Sequence, residues 1–286
     1  MKRFVFTLVI LTTLFGLAWS QAQPRTVSEF LKRGIGFSMQ GNHDQAIADY
    51  TAAINLDPEN DLVYIAYYNR GIEYIEKGDY DQAIADFNEA LKLESSDADV
   101  YSERGRAYGM KGELDLALAD FNEAVRLDPK GVGRYADRGH LYFEKEDYDR
   151  AIADFNEVLR LNPRRAITYF NRGNAYLEKD NYDKAIADYT QAIKLDKRNG
   201  DFYFVRGLAY YAKNNYKKAI ADYNQAIKLD PRNIDAYEER GVAYFLSNNY
   251  SRAIADFETA LRLDPDRDYL MEGIAEAKSA QTSGKR

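Results

Sequence analysis

Residues 172–195 read RGNAYLEKDNYDKAIADYTQAIKL, and versions of this stretch recur seven times in a chain of 286 residues. Each version has an Arg-Gly pair and, twelve residues after the glycine, a form of Ala-Ile-Ala-Asp followed by Tyr or Phe. The step between Arg-Gly pairs is 37 residues once and 34 residues thereafter. A fixed period of this size indicates a solenoid, in which each short unit buries its apolar face against its neighbours.

The composition fits such an array and limits its partners. The chain is 45% hydrophobic and 30% charged, with a formal net charge of −7. This acidic balance argues against a nucleic-acid surface or attraction to an acidic membrane face. The chain contains no cysteine, so its stability has to come from packing rather than from disulfides.

Residues 1–22 have the pattern of a secretory signal peptide. Two basic residues precede an uncharged apolar run from 4 to 18, and small residues follow, with Ser20 and Ala22 as the expected cleavage positions. The run is shorter than the roughly 20 residues of a membrane-spanning helix. We therefore expect an exported protein, periplasmic or secreted, with an uncleaved N-terminal membrane anchor as the alternative.

Each repeat predicts two amphipathic helices joined by a turn. In the fourth repeat, apolar residues at helical spacing fall on two successive segments, namely Tyr135, Gly139 and Tyr142, then Ala151, Ile152, Phe155, Val158 and Leu159. The equivalent turns of other repeats hold Gly or Asn, which suit a left-handed residue that ends the first helix, and the following Asp or Asn suits the cap of the second helix.

These positions resemble the tetratricopeptide repeat family. Its aromatic, glycine, tyrosine, alanine, aromatic, alanine and proline positions are met in the sixth repeat by Tyr203, Gly207, Tyr210, Ala219, Tyr223, Ala226 and Pro231. The resemblance implies an all-α fold, a right-handed superhelical solenoid of helix-turn-helix repeats. The predicted repeats within 27–265 span about 27–60, 61–97, 98–131, 132–165, 166–199, 200–233 and 234–266.

Departures from the period predict local irregularities. Three extra residues between Pro58 and Gly71 should extend the first helix of the second repeat or lengthen the loop before it. An apolar stripe after Pro265 predicts a C-terminal capping helix over 267–280. Residues 281–286 are predicted to be a disordered tail.

Residues present in every repeat are predicted to hold the stack. The glycine of the Arg-Gly pair, costly in a helix, should mark a close helix crossing opposite a small alanine of the partner helix. The repeated Arg and Asp, such as Arg138 and Asp154, should serve stacking, because a charge near a helix interface must be paired. Binding residues, by contrast, should vary from repeat to repeat.

The sequence contains no motif for catalysis, a metal or a cofactor, and we expect none of them. The only histidines are His43 and His140, and His43 stands where other repeats have Tyr or Leu, so it is expected to fill a packing position. Asp264, Asp266 and Asp268 alternate like a calcium loop but lack its glycine and distal glutamate.

The family resemblance implies that the first helices line a concave groove, where the residues differ between repeats and are mostly apolar. The candidate partner-binding residues are Tyr68, Ile72, Ile75, His140, Phe143, Phe170, Asn174, Leu177, Phe204, Leu208, Tyr211, Val242, Phe245 and also Leu246. The family's carboxylate clamp would need Lys, Arg and Asn here, and only Asn171 and Asn174 fit. An alternative is that individual candidates pack on one another along the groove.

These observations predict a non-catalytic scaffold that binds another polypeptide in the groove, in the assembly of an envelope or secreted complex. The alternative is a carrier that holds an apolar small molecule in the same groove. We expect no enzyme, no nucleic-acid partner and no membrane insertion after signal cleavage, whereas self-association stays possible.

Cleavage after Ser20 or Ala22 would remove Trp19, the only tryptophan of the chain. We therefore expect the exported protein to show tyrosine fluorescence alone and an intact mass that lacks the first 20 or 22 residues. Tryptophan emission, or a mass that retains Met1, would contradict the signal-peptide prediction.

Overall fold

A computed structural model describes residues 26–283, and all regular elements among them are α-helices. The predicted signal peptide, residues 1–22, and the last three residues of the predicted tail lie outside this range. The described chain forms two compact units. The first unit ends at Asp128, and the second begins at Pro129.

Among residues 26–283, six helices belong to the first unit and nine to the second. Their bounds are α1 Val27–Ser38, α2 His43–Leu56, α3 Val63–Glu76, α4 Tyr80–Leu93, α5 Ala98–Met110 and α6 Leu114–Leu127 in the first unit, and α7 Val132–Glu144, α8 Tyr148–Leu161, α9 Ala166–Glu178, α10 Tyr182–Leu195, α11 Gly200–Ala212, α12 Tyr216–Leu229, α13 Ile234–Leu246, α14 Tyr250–Leu263 and α15 Leu270–Ser283 in the second.

Within each unit, consecutive helices pair into hairpins, and each second helix packs on the first helix of the next hairpin. The first helices of neighbouring hairpins also touch. The predicted all-α repeat of helical hairpins is therefore confirmed. The final helix, α15, packs against α14. It begins three residues after the start of the predicted capping helix and continues through 281–283, so the first three residues of the predicted disordered tail are helical.

The turn inside each hairpin has the predicted left-handed residue. It is Gly41, Gly78 or Gly112 in the first unit, with φ from 71° to 78°. In the second unit the same position holds Glu146, Asp180, Asn214 and Asn248, with φ from 55° to 60°. The following Asp or Asn caps the second helix in five hairpins, where its side chain accepts a hydrogen bond from the third helical amide.

The three extra residues of the second repeat are shared between a loop and a helix. Six residues separate α2 from α3, whereas four separate the other hairpins within each unit. The α3 helix has 14 residues, against 13 in the first helices that follow. The second repeat therefore has both a longer loop before its first helix and a longer first helix.

The repeated glycine lies at a close crossing, as predicted, but its nearest neighbour is an aromatic ring rather than the predicted alanine, and among these glycines only Gly105 has an alanine, Ala117, among its three nearest atoms. A Cβ atom added to Gly173 would lie 2.6 Å from Tyr189 Cε1, and one added to Gly71 would lie 2.7 Å from Phe87 Cε1. Tyr189 and Phe87 are fully buried. The ring of the second helix thus fills the space that a side chain on the first helix would need.

The repeated Arg and Asp form a bidentate pair in every hairpin. Each guanidinium donates two hydrogen bonds of 2.6–2.8 Å, from Nε and Nη2, to the two oxygens of an Asp that is 4–6% exposed. The guanidinium also lies over an aromatic ring three residues before it on its own helix.

The remaining arginine nitrogen links consecutive hairpins. Nη1 donates to an Asn or Thr on the second helix of the preceding hairpin, in the pairs Arg70–Thr51, Arg104–Asn88, Arg172–Asn156, Arg206–Thr190 and Arg240–Asn224, at 2.6–3.1 Å. One side chain therefore closes its own hairpin and fastens it to its neighbour, which is the stacking role predicted for it.

The junction between α2 and α3 carries a histidine paired with a buried glutamate. Glu73 on α3 is 2% exposed, where later first helices have Ala or Leu, and its Oε2 lies 2.6 Å from His43 Nδ1. His43 is the first residue of α2, and the sequence predicted that it fills a packing position. In the structure it also supplies the polar partner that the buried Glu73 carboxylate requires.

Replacing Gly173 with alanine should destabilise the second unit by about 1–3 kcal/mol, because the new methyl group would overlap the buried Tyr189 ring. Gly36→Ala is the matched control, since a Cβ there meets nothing within 4 Å and alanine is the better helix former by roughly 0.5–1 kcal/mol. Chemical denaturation should therefore show opposite signs for the two variants. Equal effects would contradict the close crossing.

Replacing Arg172 with lysine keeps the charge but loses the bidentate geometry and the hydrogen bond to Asn156. We expect a loss of about 1–3 kcal/mol in the free energy of unfolding, because Asp188 stays buried and underpaired. Arg160→Lys, at an exposed pair with Glu157, should change it by less than about 0.5 kcal/mol. Similar denaturation midpoints for both variants would reject the stacking role.

Candidate functional site

The structure places three predicted site residues on α3 and eleven on the first helices of the second unit. Tyr68, Ile72 and Ile75 lie on α3. The others lie on α7, α9, α11 and α13. Each of these helices contacts the next one in this order. We call the surface formed by these four helices the first-helix face, with residues His140, Phe143, Phe170, Asn174, Leu177, Phe204, Leu208, Tyr211, Val242, Phe245 and Leu246.

Most predicted residues are half-buried and pack within their own hairpin, and Phe170 also packs on Phe202 of the next hairpin. Aromatic ring centroids lie 5.3–6.2 Å apart in the pairs Tyr68–Phe87, Phe143–Tyr148, Phe170–Tyr189, Phe170–Phe202, Phe204–Tyr223, Tyr211–Tyr216 and Phe245–Tyr250. One side of each predicted aromatic anchor is thus held in place, while the rest of its surface is partly accessible. Each of these side chains therefore uses part of its surface for packing within the protein and keeps the rest accessible.

Ile75 differs from the other candidates because it belongs to the core. Its side chain is 8% exposed and packs in a cluster with Phe87, Leu91 and Ala107. The helical spacing that selected it places it on the inner side of α3. Ile75 is therefore not available to a partner, whereas Tyr68 and Ile72 are half-buried at the edge of the same cluster.

The α7 and α9 end of the first-helix face contains a small pocket. It has a volume of about 180 Å³ and is lined by His140, Phe143, Glu144, Phe155, Asn171 and Asn174. The amide Nδ2 of Asn171 lies 2.6 Å from Nε2 of His140. Asn174 Oδ1 accepts a hydrogen bond of 2.8 Å from the Tyr189 hydroxyl. The pocket therefore combines aromatic walls with amide groups that can bond a peptide backbone.

The surroundings of His140 disfavour the protonated form of its ring. Desolvation lowers the pKa of His140, and Arg165 acts in the same direction, while Asp137 and Glu144 oppose the shift. A neutral ring nitrogen can accept the hydrogen bond from Asn171.

At the other end of the face, a carboxylate lies where Asn171 lies in α9. Glu239 on α13 is half-buried, and among residues 26–283 it has no hydrogen-bond or ion-pair partner. Burial raises the pKa of Glu239, and the neighbouring carboxylates Glu238 and Asp235 raise it further. Sequence reasoning missed Glu239, because the same position of the repeat also holds the acids Glu103 and Asp137.

A buried hydroxyl faces the same region. Tyr223 on α12 is fully buried, and its hydroxyl has no hydrogen-bond partner within the described chain. Its ring packs with Phe204, Leu208, Tyr211 and Ala243.

Two further properties concern the described residues alone. None of their helices combines the length and the apolar character needed to cross a membrane. Between residues 26 and 283, no group of three or more His, Cys, Asp or Glu side chains is arranged to hold a metal ion.

Comparison with solved structures finds the same fold in several proteins. A tetratricopeptide repeat protein from Parabacteroides merdae is 22% identical, with 89% of this chain and 100% of that chain covered and a TM-score of 0.65. The C-terminal part of a TPR repeat-containing protein from Cytophaga hutchinsonii is 20% identical, with 85% and 99% covered and a TM-score of 0.72. YrrB, described as a TPR protein with an unusual peptide-binding site, is 22% identical, with 65% and 96% covered and a TM-score of 0.57.

Family models agree with this likeness. Models described as TPR repeat or tetratricopeptide repeat match residues 40–60, 71–112, 98–130, 136–202, 207–248 and 234–267. A comparison with curated proteins found no match. The matched segments follow the hairpins along most of the described chain, and the protein belongs to the tetratricopeptide repeat family.

Proposed function

We propose that this protein is a non-catalytic scaffold that binds a polypeptide segment on the first-helix face of residues 129–283. The observation that carries the proposal is the contrast between two sets of side chains. The Arg-Asp pair, the glycine and its facing ring recur in every hairpin because they hold the stack. The first-helix face changes from one hairpin to the next, as a surface that recognises a particular partner should.

The physical character of the face suits a peptide. Phe170, Phe204, Tyr211 and Phe245 are each packed on one side and partly accessible on the other. Side chains that are already held lose little conformational entropy on binding, and aromatic residues dominate interface energies. Amide groups at the His140 pocket can bond the backbone of an extended segment. The peptide-binding site ascribed to YrrB offers a precedent within this fold.

The pocket volume favours a peptide over the small-molecule alternative. Sites for small molecules usually enclose about 300–1,000 Å³. The pocket at His140 has about 180 Å³ and opens onto the face, which suits one side chain of a longer ligand.

The setting of this function is inferred from sequence alone. The signal-like pattern of residues 1–22 supports export, and a scaffold in that location would take part in assembling an envelope or secreted complex.

Selection of short random peptides displayed on phage against the immobilised protein should enrich a family of related sequences. Phe204→Ala with Tyr211→Ala should weaken binding of the enriched peptides about tenfold or more, because two aromatic anchors are lost. Fluorescence anisotropy of labelled synthetic peptides would measure the effect.

Tyr203→Ala is the matched control, because Tyr203 is also on α11 but contacts the Arg206 guanidinium, 5.8 Å from its ring centroid, and is not one of the residues of the first-helix face. The control should retain binding. Thermal unfolding of all variants separates lost contacts from lost folding, since truncating a half-buried ring costs about 1–2 kcal/mol. Equal binding by the double variant and the wild type, or failure to enrich any peptide, would reject the proposed function.

A further inference from the structure

We propose that the α11–α13 part of the first-helix face is a subsite for one basic side chain, lysine or arginine, of the bound polypeptide. This inference rests on the proposed function and specifies the chemistry of its partner. The subsite consists of Glu239, the hydroxyl of Tyr223, and the rings of Phe204 and Tyr211.

Glu239 supplies a negative charge that the protein does not neutralise. Its two acidic neighbours, Asp235 and Glu238, both bond Arg267, at 2.7 Å and 2.6 Å. Glu239 has no such partner among the described residues, although it is half-buried. A desolvated, unpaired carboxylate is costly, and a cation from a ligand would relieve that cost.

Glu239 lies next to the aromatic cluster by helix geometry. Residues four apart share one face of a helix, so Glu239 lies directly before Ala243 on α13. Ala243 is fully buried in one cluster with Tyr223, and Phe204 and Tyr211 pack against that cluster. The carboxylate charge also acts on both tyrosines, because Glu239 contributes to the raised pKa of Tyr211 and of Tyr223, after desolvation in each case.

Tyr223 supplies a second, independent indication of a missing ligand. The equivalent tyrosine one hairpin earlier, Tyr189, donates its hydroxyl hydrogen to Asn174 on the first-helix face. The residue equivalent to Asn174 is Leu208, so the Tyr223 hydroxyl stays buried without a partner. Buried hydroxyls are normally bonded, and this one can accept a hydrogen bond from an ammonium or guanidinium group.

The aromatic rings fit the rest of a basic side chain. Phe204 and Tyr211 use one side to pack on Tyr223 and Tyr216, at centroid distances of 5.9 Å and 5.7 Å. Their accessible surfaces can cover the methylene stem of lysine or arginine and attract its charge through the ring face.

The same features argue against other occupants. A divalent cation such as calcium needs about six or more oxygen ligands, whereas the subsite offers one carboxylate and one hydroxyl among aromatic rings. An acidic peptide group would be repelled by Glu239. Charge complementarity therefore selects a monovalent organic cation, which a polypeptide supplies as lysine or arginine.

The test repeats the displayed-peptide selection with the full chain, with Glu239→Gln and with Glu272→Gln. Glu272 is an exposed acid on α15, so this control changes the net charge equally. The wild type and the control should enrich lysine or arginine at one fixed position, and Glu239→Gln should still enrich peptides but lose that preference.

Synthetic peptides give the decisive measurement. Replacing the enriched basic residue with norleucine or glutamine should weaken binding to the wild type about tenfold and barely affect binding to Glu239→Gln. Glu239→Gln should unfold at the wild-type temperature or above it, because an unpaired charge is removed. Enriched peptides without a fixed basic residue, or equal losses in both Glu variants, would overturn the subsite while the proposed function stands. Failure to enrich any peptide would overturn both.

Discussion

The bidentate hydrogen bond between the repeated arginine and aspartate is the constraint on which the stack depends. The aspartate is nearly fully buried, so it needs two donors of fixed geometry, and only a guanidinium supplies them with a third donor left over. In the described junctions that third donor bonds the preceding hairpin. Closure of one hairpin and attachment to its neighbour are therefore accomplished by the same side chain.

This arrangement leaves one surface free to vary. The glycine, its facing ring and the Arg-Asp pair lie between helices, so they fix the spacing without using the outer positions of the first helices. In the second unit those positions range from His140 and Asn174 to Leu208 and Glu239. The stack thus tolerates polar, apolar and charged groups side by side, provided that each is partly accessible.

Periodicity predicted the hairpins, their turns and the structural role of Arg and Asp, because these features recur and local chemistry decides them. Periodicity did not predict that Gly173 lies against the Tyr189 ring. The residue that fills a helix crossing depends on how the side chains pack in three dimensions. Periodicity also placed Ile75 on the candidate surface, although the Ile75 side chain lies on the inner side of α3 and is buried in the core. Glu239 could not be identified from the sequence, because its lack of a partner follows from the pairing of Asp235 and Glu238 with Arg267, which depends on the three-dimensional fold.

The pairing of His43 with Glu73 gives one junction an identity that the uniform hairpins lack. The Arg contacts to Asn or Thr are alike from one hairpin to the next, so unequal recombination between repeats can add or remove a hairpin and keep these contacts in register. The His43–Glu73 junction does not allow such an exchange. A hairpin with tyrosine in place of His43 would leave the Glu73 carboxylate buried without its partner. The first two hairpins are therefore expected to be inherited together, and changes in repeat number should fall after them.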